Sequence, residues 1–263
     1  MLKFCKAALV TMLLGAGLWS PAWANDGKIL VVYPGAQTPE HQVVEKLLKE
    51  LKPFEAMADS YNSKFFFPRD VIVVIAETGQ VNCWYAPDQH RVYISYELLD
   101  FLLKLFRQVE PEKEARGDAL NTLFFVALHE MGHALIGELD IPTTGREEDA
   151  VDDFACLTVH QVGGAARDQA LAAAKWFGIM GARGNNADLP FWDEHSLDMQ
   201  RFYGIIGLMY GANPNRHMFA EKIVPKRQLE RYLNDYPKKL DSWERLLTPH
   251  FRKKLPRGQN LKI

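Results

Sequence analysis

Residues 115–139 carry the pattern that most constrains how this 263-residue chain can fold. Apolar side chains recur there every three or four positions and form one stripe along a predicted helix, at Leu120, Phe124, Leu128, Met131, Leu135 and Leu139. Other elements must cover a stripe of this length, because it would otherwise leave a large apolar area in water. We therefore expect this helix to lie in the core and to organise the rest of the fold.

Short strand-like segments precede this helix, and helical segments follow it. The predicted strands are 28–33, 70–77 and a hairpin of 81–85 and 91–96. The other predicted helices are 40–59, which Pro53 kinks or ends, 97–108, 147–162, 165–180, 195–210 and 226–247. This order indicates an α+β fold, with a small N-terminal mixed sheet packed on a mainly helical C-terminal half. We predict a single domain over 25–263, with a sheet part at about 28–96 and a helical part at about 97–250.

The first 24 residues have the layout of a secretory signal peptide. Lys3 and Lys6 precede an apolar run over 7–18, and an Ala-x-Ala site ends at Ala24. A membrane anchor is the alternative, but this run is shorter than the roughly 20 residues that span a bilayer. We therefore expect cleavage after Ala24 and export to the periplasm or the medium. No later apolar run approaches a spanning length, so no stable membrane insertion is expected after cleavage.

Composition excludes some functions and leaves others open. The net charge is −2 and becomes −4 once the two lysines of the signal peptide are removed, so no basic excess favours nucleic-acid binding. An apolar content of 48% with so small a charge argues against a disordered chain. Cys83 and Cys156 remain in the exported chain, where they either form a disulfide or are buried free thiols.

Within the predicted core helix, His129, Glu130 and His133 form an H-E-x-x-H motif. Residues four apart lie on one helix face about one turn apart, so both imidazoles can reach a single zinc ion. Glu130 lies beside them and can act on a water molecule without being a ligand. The two histidines flank the apolar stripe, which predicts that they face a cleft. Gly132 and Gly137 indicate either close approach of another segment or simple tolerance of glycine.

A third ligand must come from outside this motif. Position 139 is Leu, so the third histidine of the H-E-x-x-H-x-x-G-x-x-H pattern is absent. Glu148 and Asp152 are four residues apart on the next predicted helix and share one face. A carboxylate ligand at one of these positions fits with a second carboxylate one turn away, which would accept the free N–H of a ligand histidine. Glu147 and Asp149 flank Glu148 and are alternative ligands if the helix is rotated.

The two motifs together resemble those of gluzincin-type zinc metallopeptidases, in which H-E-x-x-H is followed by E-x-x-x-D. More narrowly, residues 129–133 and the segment Gly-Arg-Glu-Glu-Asp-Ala-Val-Asp at 145–152 look like a family of bacterial metallopeptidases assigned by these motifs. The segments 93–97 and 192–203 also resemble that family. The resemblance spans about 28–250, and it implies a zincin-like fold, a zinc cofactor and a peptide or protein substrate.

The resemblance also implies a role for each matching residue. His129, His133 and Glu148 would be the zinc ligands. Glu130 would be the general base, and Asp152 would orient His129.

Catalysis at such a site usually needs an oxyanion stabiliser besides the metal. His195, at the start of the predicted helix over 195–210, is the candidate catalytic residue. An exposed histidine near a helix N-terminus is the alternative interpretation. Tyr203 and Tyr210 are weaker candidates, because aromatic residues at helical spacing are typical of a core.

The strand predicted over 91–96 lies just before the core helix in the chain. We hypothesise that it is the edge of the cleft and binds an extended peptide by strand addition. An ordinary structural hairpin is the alternative.

These patterns predict an exported zinc metallopeptidase that hydrolyses peptide bonds by means of a metal-activated water and a glutamate general base. A zinc-containing envelope binding or assembly protein without hydrolytic activity is the main alternative. The presence of Glu130 favours the enzyme, because a purely structural zinc site does not need a general base and tends to fill its fourth position with another ligand. A chance occurrence of the motif on a plain helix is the third interpretation.

Overall fold

The computed structural model describes residues 26–184 and 194–253. Within them, four strands and eight α-helices form a mixed α+β fold, as the sequence predicts. The strands are β1 (Ile29–Val32), β2 (Val71–Ala76), β3 (Cys83–Ala86) and β4 (Arg91–Ser95). The helices are α1 (Pro39–Leu51), α2 (Pro53–Lys64), α3 (Tyr96–Phe106), α4 (Glu112–Glu138), α5 (Glu147–Val162), α6 (Arg167–Arg183), α7 (Asp198–Ala212) and α8 (Lys226–Leu247). The predicted signal peptide and its cleavage site lie outside the described residues.

The four strands form one mixed sheet in the order β1-β2-β4-β3. β1, β2 and β4 run parallel, and β3 pairs antiparallel with β4 as the predicted hairpin. β2 is largely buried, as expected for a parallel strand covered on both faces. The sheet is built from the N-terminal part of the chain, and β1 and β3 are its two edge strands among the described residues.

The hypothesis that residues 91–96 form the cleft edge is wrong. β4 is hydrogen-bonded to β2 on one side and to β3 on the other, so it has no edge to offer a peptide. The sequence predicts the hairpin but not which of its two strands lies inside the sheet. That depends on the pairing of β4 with β2, a strand that precedes the hairpin in the chain. On this side of the described sheet, the outer edge belongs to β3.

Pro53 ends the helix predicted over 40–59 and begins a second one. Lys52, between α1 and α2, adopts a left-handed conformation with φ of 52°, and Pro53 takes the first position of α2. α5 and α8 have the predicted bounds. α7 begins at Asp198 rather than 195, so His195 lies in the segment before this helix.

Helix α4 is covered by elements from both halves of the fold. It packs against α3, α5 and α6 and against β3 and β4. Met131, Leu135 and Leu139 of the apolar stripe are fully buried, whereas Leu120 and Leu128 are only partly covered. The H-E-x-x-H segment thus lies in the most enclosed part of the helix.

Helix α4 is also long and apolar enough to cross a membrane by length and composition alone. The sequence shows no uninterrupted apolar run of that length here, because polar and charged residues interrupt the helix. In its most apolar stretch, 67% of the residues are buried inside the protein, as in the core helix of a folded domain.

The two glycines of the motif region mark close approaches of other segments. A Cβ atom at Gly132 would lie 2.9 Å from Cβ and Cγ1 of Val151 on α5. A Cβ atom at Gly137 would lie 3.0 Å from Cε1 of Tyr85 on β3. The interpretation as close approach is therefore confirmed, and Gly132 sets the distance between α4 and α5.

We expect Gly132→Ala to destabilise the protein by about 1–3 kcal/mol, because the added methyl group overlaps Val151 and must displace α5. The matched control is Gly117→Ala on the same helix, where nothing lies within 4 Å of the added atom. That change should be neutral or stabilise by up to about 1 kcal/mol, since alanine favours helix. Urea denaturation of both variants measures the difference, and equal stabilities would contradict the close-contact argument.

Cys83 and Cys156 are buried free thiols on β3 and α5, so the alternative of a disulfide between them is not realised. Burial raises the pKa of both thiols. They are therefore inert apolar side chains rather than reactive groups.

His160 at the C-terminal end of α5 makes stability depend on pH. Its ring packs against Tyr236 of α8 with centroids 5.4 Å apart, and its Nδ1 is buried without a hydrogen-bond partner. Burial, together with the charge of Arg167, lowers the pKa of His160 to about 4. Between about pH 6.5 and 4, His160 is therefore mostly protonated in the unfolded chain and mostly neutral in the folded chain.

The contribution of His160 to stability is full above pH 6.5 and is lost as the pH falls towards 4. We expect metal-saturated protein to lose about 1–2 kcal/mol through this residue between pH 7 and 5, allowing for its partial exposure. His160→Gln should flatten the dependence by that amount in urea denaturation at the two pH values. An unchanged slope would show that His160 titrates normally.

Candidate metal centre

Helices α4 and α5 bring three of the predicted ligands together. His129 Nε2 lies 3.1 Å from Glu148 Oε2, and His133 Nε2 lies 3.2 Å from Glu148 Oε1. The two Nε2 atoms are 3.3 Å apart. One ligand atom from each of the three residues lies within 4.8 Å of the others. The helical spacing of the two histidines and the packing of α5 across α4 produce this convergence.

The second nitrogen of each imidazole contacts a carboxylate. His129 Nδ1 lies 2.8 Å from Asp152 Oδ1, and His133 Nδ1 lies 2.8 Å from Glu147 Oε1. Ionised carboxylates only accept hydrogen bonds, so each Nδ1 carries the proton and donates it. Each Nε2 faces the other histidine and Glu148, and it is the nitrogen that a metal ion would bind. The predicted contact of Asp152 with His129 is present, and the contact of Glu147 with His133 is additional.

This donor set fits a divalent cation such as zinc. Two imidazole lone pairs and a carboxylate face the same small space, which is the ligand chemistry of catalytic zinc sites. Glu148 Oε2 is buried without a hydrogen-bond partner, and a buried acceptor in that state is costly unless a cation satisfies it. His129, His133 and Glu148 are the residues that would hold the ion.

Of the three acids at 147–149, Glu148 alone directs both oxygens at the two Nε2 atoms. Glu147 contacts the far side of His133. Asp149 accepts a hydrogen bond of 2.6 Å from Ser196 Oγ. The geometry favours Glu148 as the ligand over both alternatives.

The charges around this centre are strongly coupled. Burial would raise the pKa of Glu148, but the close approach of His129, His133 and His195 holds it far below its usual value. Burial would lower the pKa of His133, yet Glu148 and Glu147 raise it to about 9. Glu148 therefore stays ionised in this pocket, and an ionised carboxylate is suited to bind a cation.

Arg201 on α7 is a contributor that the sequence analysis missed. Its Nη2 and Nε donate to Asp152 Oδ1 and Oδ2 at 2.6 and 2.7 Å, and its guanidinium lies 4.0 Å from the ring centroid of Phe177. Burial would raise the pKa of Asp152, but Arg201 and His129 lower it to about 2. The chain Arg201–Asp152–His129 therefore fixes the imidazole. A buried Asp predicts a cationic partner, but the sequence does not identify Arg201 as that partner, because the two residues are 49 positions apart.

Glu130 is buried next to the centre, but its carboxylate contacts a backbone N–H on β3 and not the ligand residues. Its Oε2 accepts a hydrogen bond of 2.9 Å from the backbone N–H of Tyr85 on β3. Burial raises the pKa of Glu130, although His129 and His133 oppose this. A carboxyl group with a raised pKa beside a cation site is suited to exchange protons.

The side chain of Tyr85 anchors β3 to the end of α4, which the sequence also did not reveal. Its hydroxyl donates to Glu138 Oε1 at 2.7 Å, and His90 Nδ1 contacts the same oxygen at 2.7 Å. Glu138 is itself buried. These contacts hold the Tyr85 N–H over Glu130.

His195 lies at the open side of the centre. Its Nε2 is 3.2 Å from Glu148 Oε2, and 44% of its side chain is exposed. Tyr203 is exposed and lines a neighbouring cavity of about 780 Å³. Tyr210 donates to Glu221 at 3.0 Å. Of the three residues considered as oxyanion stabilisers, His195 is the one the structure brings into contact with the centre.

A helix that bears H-E-x-x-H and faces a glutamate on the following helix is an arrangement suited to a metallopeptidase. A model of the family described as "Putative metallopeptidase" matches residues 33–247, which is most of the chain. The chain belongs to this family. Neither the curated proteins nor the solved structures give a significant match.

Proposed function

We propose that this chain is a zinc-dependent peptidase of gluzincin type that is exported through its signal peptide and hydrolyses peptide bonds. The observation that carries the proposal is the convergence of His129 Nε2, His133 Nε2 and the Glu148 carboxylate beside a buried Glu130. Membership of a metallopeptidase family supports peptide or protein as the substrate.

A zinc ion held by His129, His133 and Glu148 would supply Lewis acidity, which would make water a better nucleophile and a carbonyl a better electrophile. Glu130 takes the proton of the attacking water on a carboxylate oxygen and passes it to the leaving amine. Burial raises the pKa of Glu130, which favours uptake of that proton. The Tyr85 N–H keeps the carboxylate in place during the exchange.

His195 is the proposed oxyanion stabiliser. Its exposed ring borders the centre and can donate an N–H to the carbonyl oxygen as negative charge develops there. Arg201 and Asp152 do not touch the substrate in this scheme. They keep His129 in the tautomer that leaves Nε2 unprotonated.

The outer edge of β3 is the proposed site of strand addition, in place of β4. The Tyr85 N–H points away from β4 and towards Glu130, so this edge borders the catalytic groups. The Tyr85 N–H is already donated to Glu130, so an extended peptide would pair with the other outward backbone groups of β3 and run past Glu130 with its scissile carbonyl near the centre.

One observation favours the non-hydrolytic alternative. His195 lies close enough to Glu148 to fill a fourth position on the ion and close the site, as in structural zinc sites. If His195 is a ligand, His195→Ala should weaken zinc binding. If His195 stabilises the oxyanion, the same change should leave zinc binding unchanged and slow hydrolysis.

The test uses the exported chain purified from a bacterial host. We expect an N-terminus at Asn25, about one zinc per chain, and hydrolysis of an unfolded protein substrate that a chelator abolishes and one equivalent of zinc restores. Zinc without hydrolysis across a broad peptide library would support the binding protein. A mature chain that retains residues 1–24 would contradict the export proposal.

A further inference from the structure

A second group of metal-ligand atoms shares Glu148 with the centre described above. Glu148, Glu194 and His195 each offer one ligand atom within 4.8 Å of the others. Glu148 Oε2 lies between two imidazoles, 3.1 Å from His129 Nε2 and 3.2 Å from His195 Nε2. This oxygen is buried and has no hydrogen-bond partner.

We propose that Glu148, Glu194 and His195 form a second zinc site, with the Glu148 carboxylate bridging the two ions. The inference rests on the proposed function, since the first site is its starting point. A carboxylate has two oxygens with about four lone-pair positions, so it can serve two cations at once. Bridged pairs of metal ions are an established arrangement in hydrolases.

The charge of the neighbourhood supports a second cation. Five carboxylates meet around the two groups, and the Arg201 guanidinium contacts one of them, while the imidazoles of His129 and His133 are neutral when they bind a metal ion. The carboxylates belong to Glu130, Glu147, Glu148, Asp152 and Glu194. The group therefore stays net negative after one divalent ion has bound. A second divalent ion would neutralise it.

The second site is more open than the first and should bind more weakly. Glu194 is exposed and His195 is half-exposed, whereas His129 is buried. Exposed ligands lose more side-chain freedom on binding and keep competing water. The second ion would also occupy the nitrogen with which His195 is proposed to stabilise the oxyanion. Excess zinc is thus expected to inhibit the enzyme.

The experiment titrates zinc alone into metal-free mature protein, with binding followed by calorimetry and hydrolysis measured in parallel. We expect the first equivalent to activate the protein. We expect a second equivalent to bind at least tenfold more weakly and to lower the rate at least fivefold. Glu194→Gln should weaken the second binding event, and the inhibition that follows it, at least tenfold. The matched control, Glu230→Gln at an exposed position of α8, should behave like the parent.

Each outcome bears on the inference separately from the proposed function. One equivalent at saturating zinc, or a second equivalent that Glu194→Gln binds as tightly as the parent, overturns the second site. Absence of hydrolysis at one equivalent overturns the proposed peptidase activity. The binding stoichiometry and its change in Glu194→Gln would still decide whether the second site exists.

Discussion

Glu130→Gln is expected to lower kcat/KM of the zinc-loaded protein by about two to four orders of magnitude, the usual contribution of a general acid–base residue. The change keeps the size of the side chain and an oxygen that can accept the hydrogen bond from the Tyr85 N–H. It removes the ability to take up a proton. Zinc content and the free energy of unfolding should therefore remain close to those of the parent, while hydrolysis of a fluorogenic peptide collapses.

Glu114→Gln, in the exposed first turn of the same helix, makes the same chemical change away from the centre. It should retain the rate of the parent. Parent-like hydrolysis by Glu130→Gln would mean that another group takes the proton from water. Loss of zinc in that variant would mean that Glu130 is a ligand, contrary to the contact with Tyr85.

The sequence predicted those parts of the molecule whose signals are local. The bounds of α5 follow from an acidic first turn at 147–149 and Gly163 at its end, and the bounds of α8 follow from Pro225 before its first residue. The pairing of Glu148 with Asp152 follows from helical spacing. Each of these features depends on residues within a few positions of one another.

Contacts between distant elements were not readable from the same patterns. The Arg201 guanidinium reaches Asp152 from another helix, and the Tyr85 N–H reaches Glu130 from a strand. Neither contact leaves a signal in the sequence. A backbone N–H is present at almost every residue, and the sequence does not distinguish a buried arginine from an exposed one. The edge position of β3 was missed for a related reason, since it depends on which strand pairs with β4 from earlier in the chain.

The order of zinc affinities in a series at 147–149 is the sharpest test of the ligand set. Glu148→Gln should weaken zinc binding at least about 1000-fold and abolish hydrolysis at stoichiometric zinc, because it removes one of three ligands. Glu147→Gln should weaken binding by about 10–100-fold, the typical effect of losing a group that orients a ligand histidine. Its carboxylate contacts His133 Nδ1 and leaves Nε2 in place.

Asp149→Asn supplies the matched control, because it is adjacent in sequence and loses the same charge. Its carboxylate contacts Ser196 rather than either histidine, so zinc affinity should stay within about twofold of the parent. Competition with a chromophoric chelator measures all three affinities on one scale. If Glu147→Gln proved the most damaging substitution, helix α5 would be rotated relative to the contacts described here. Equal losses in all three variants would instead indicate that general negative charge, and not coordination by Glu148, attracts the ion.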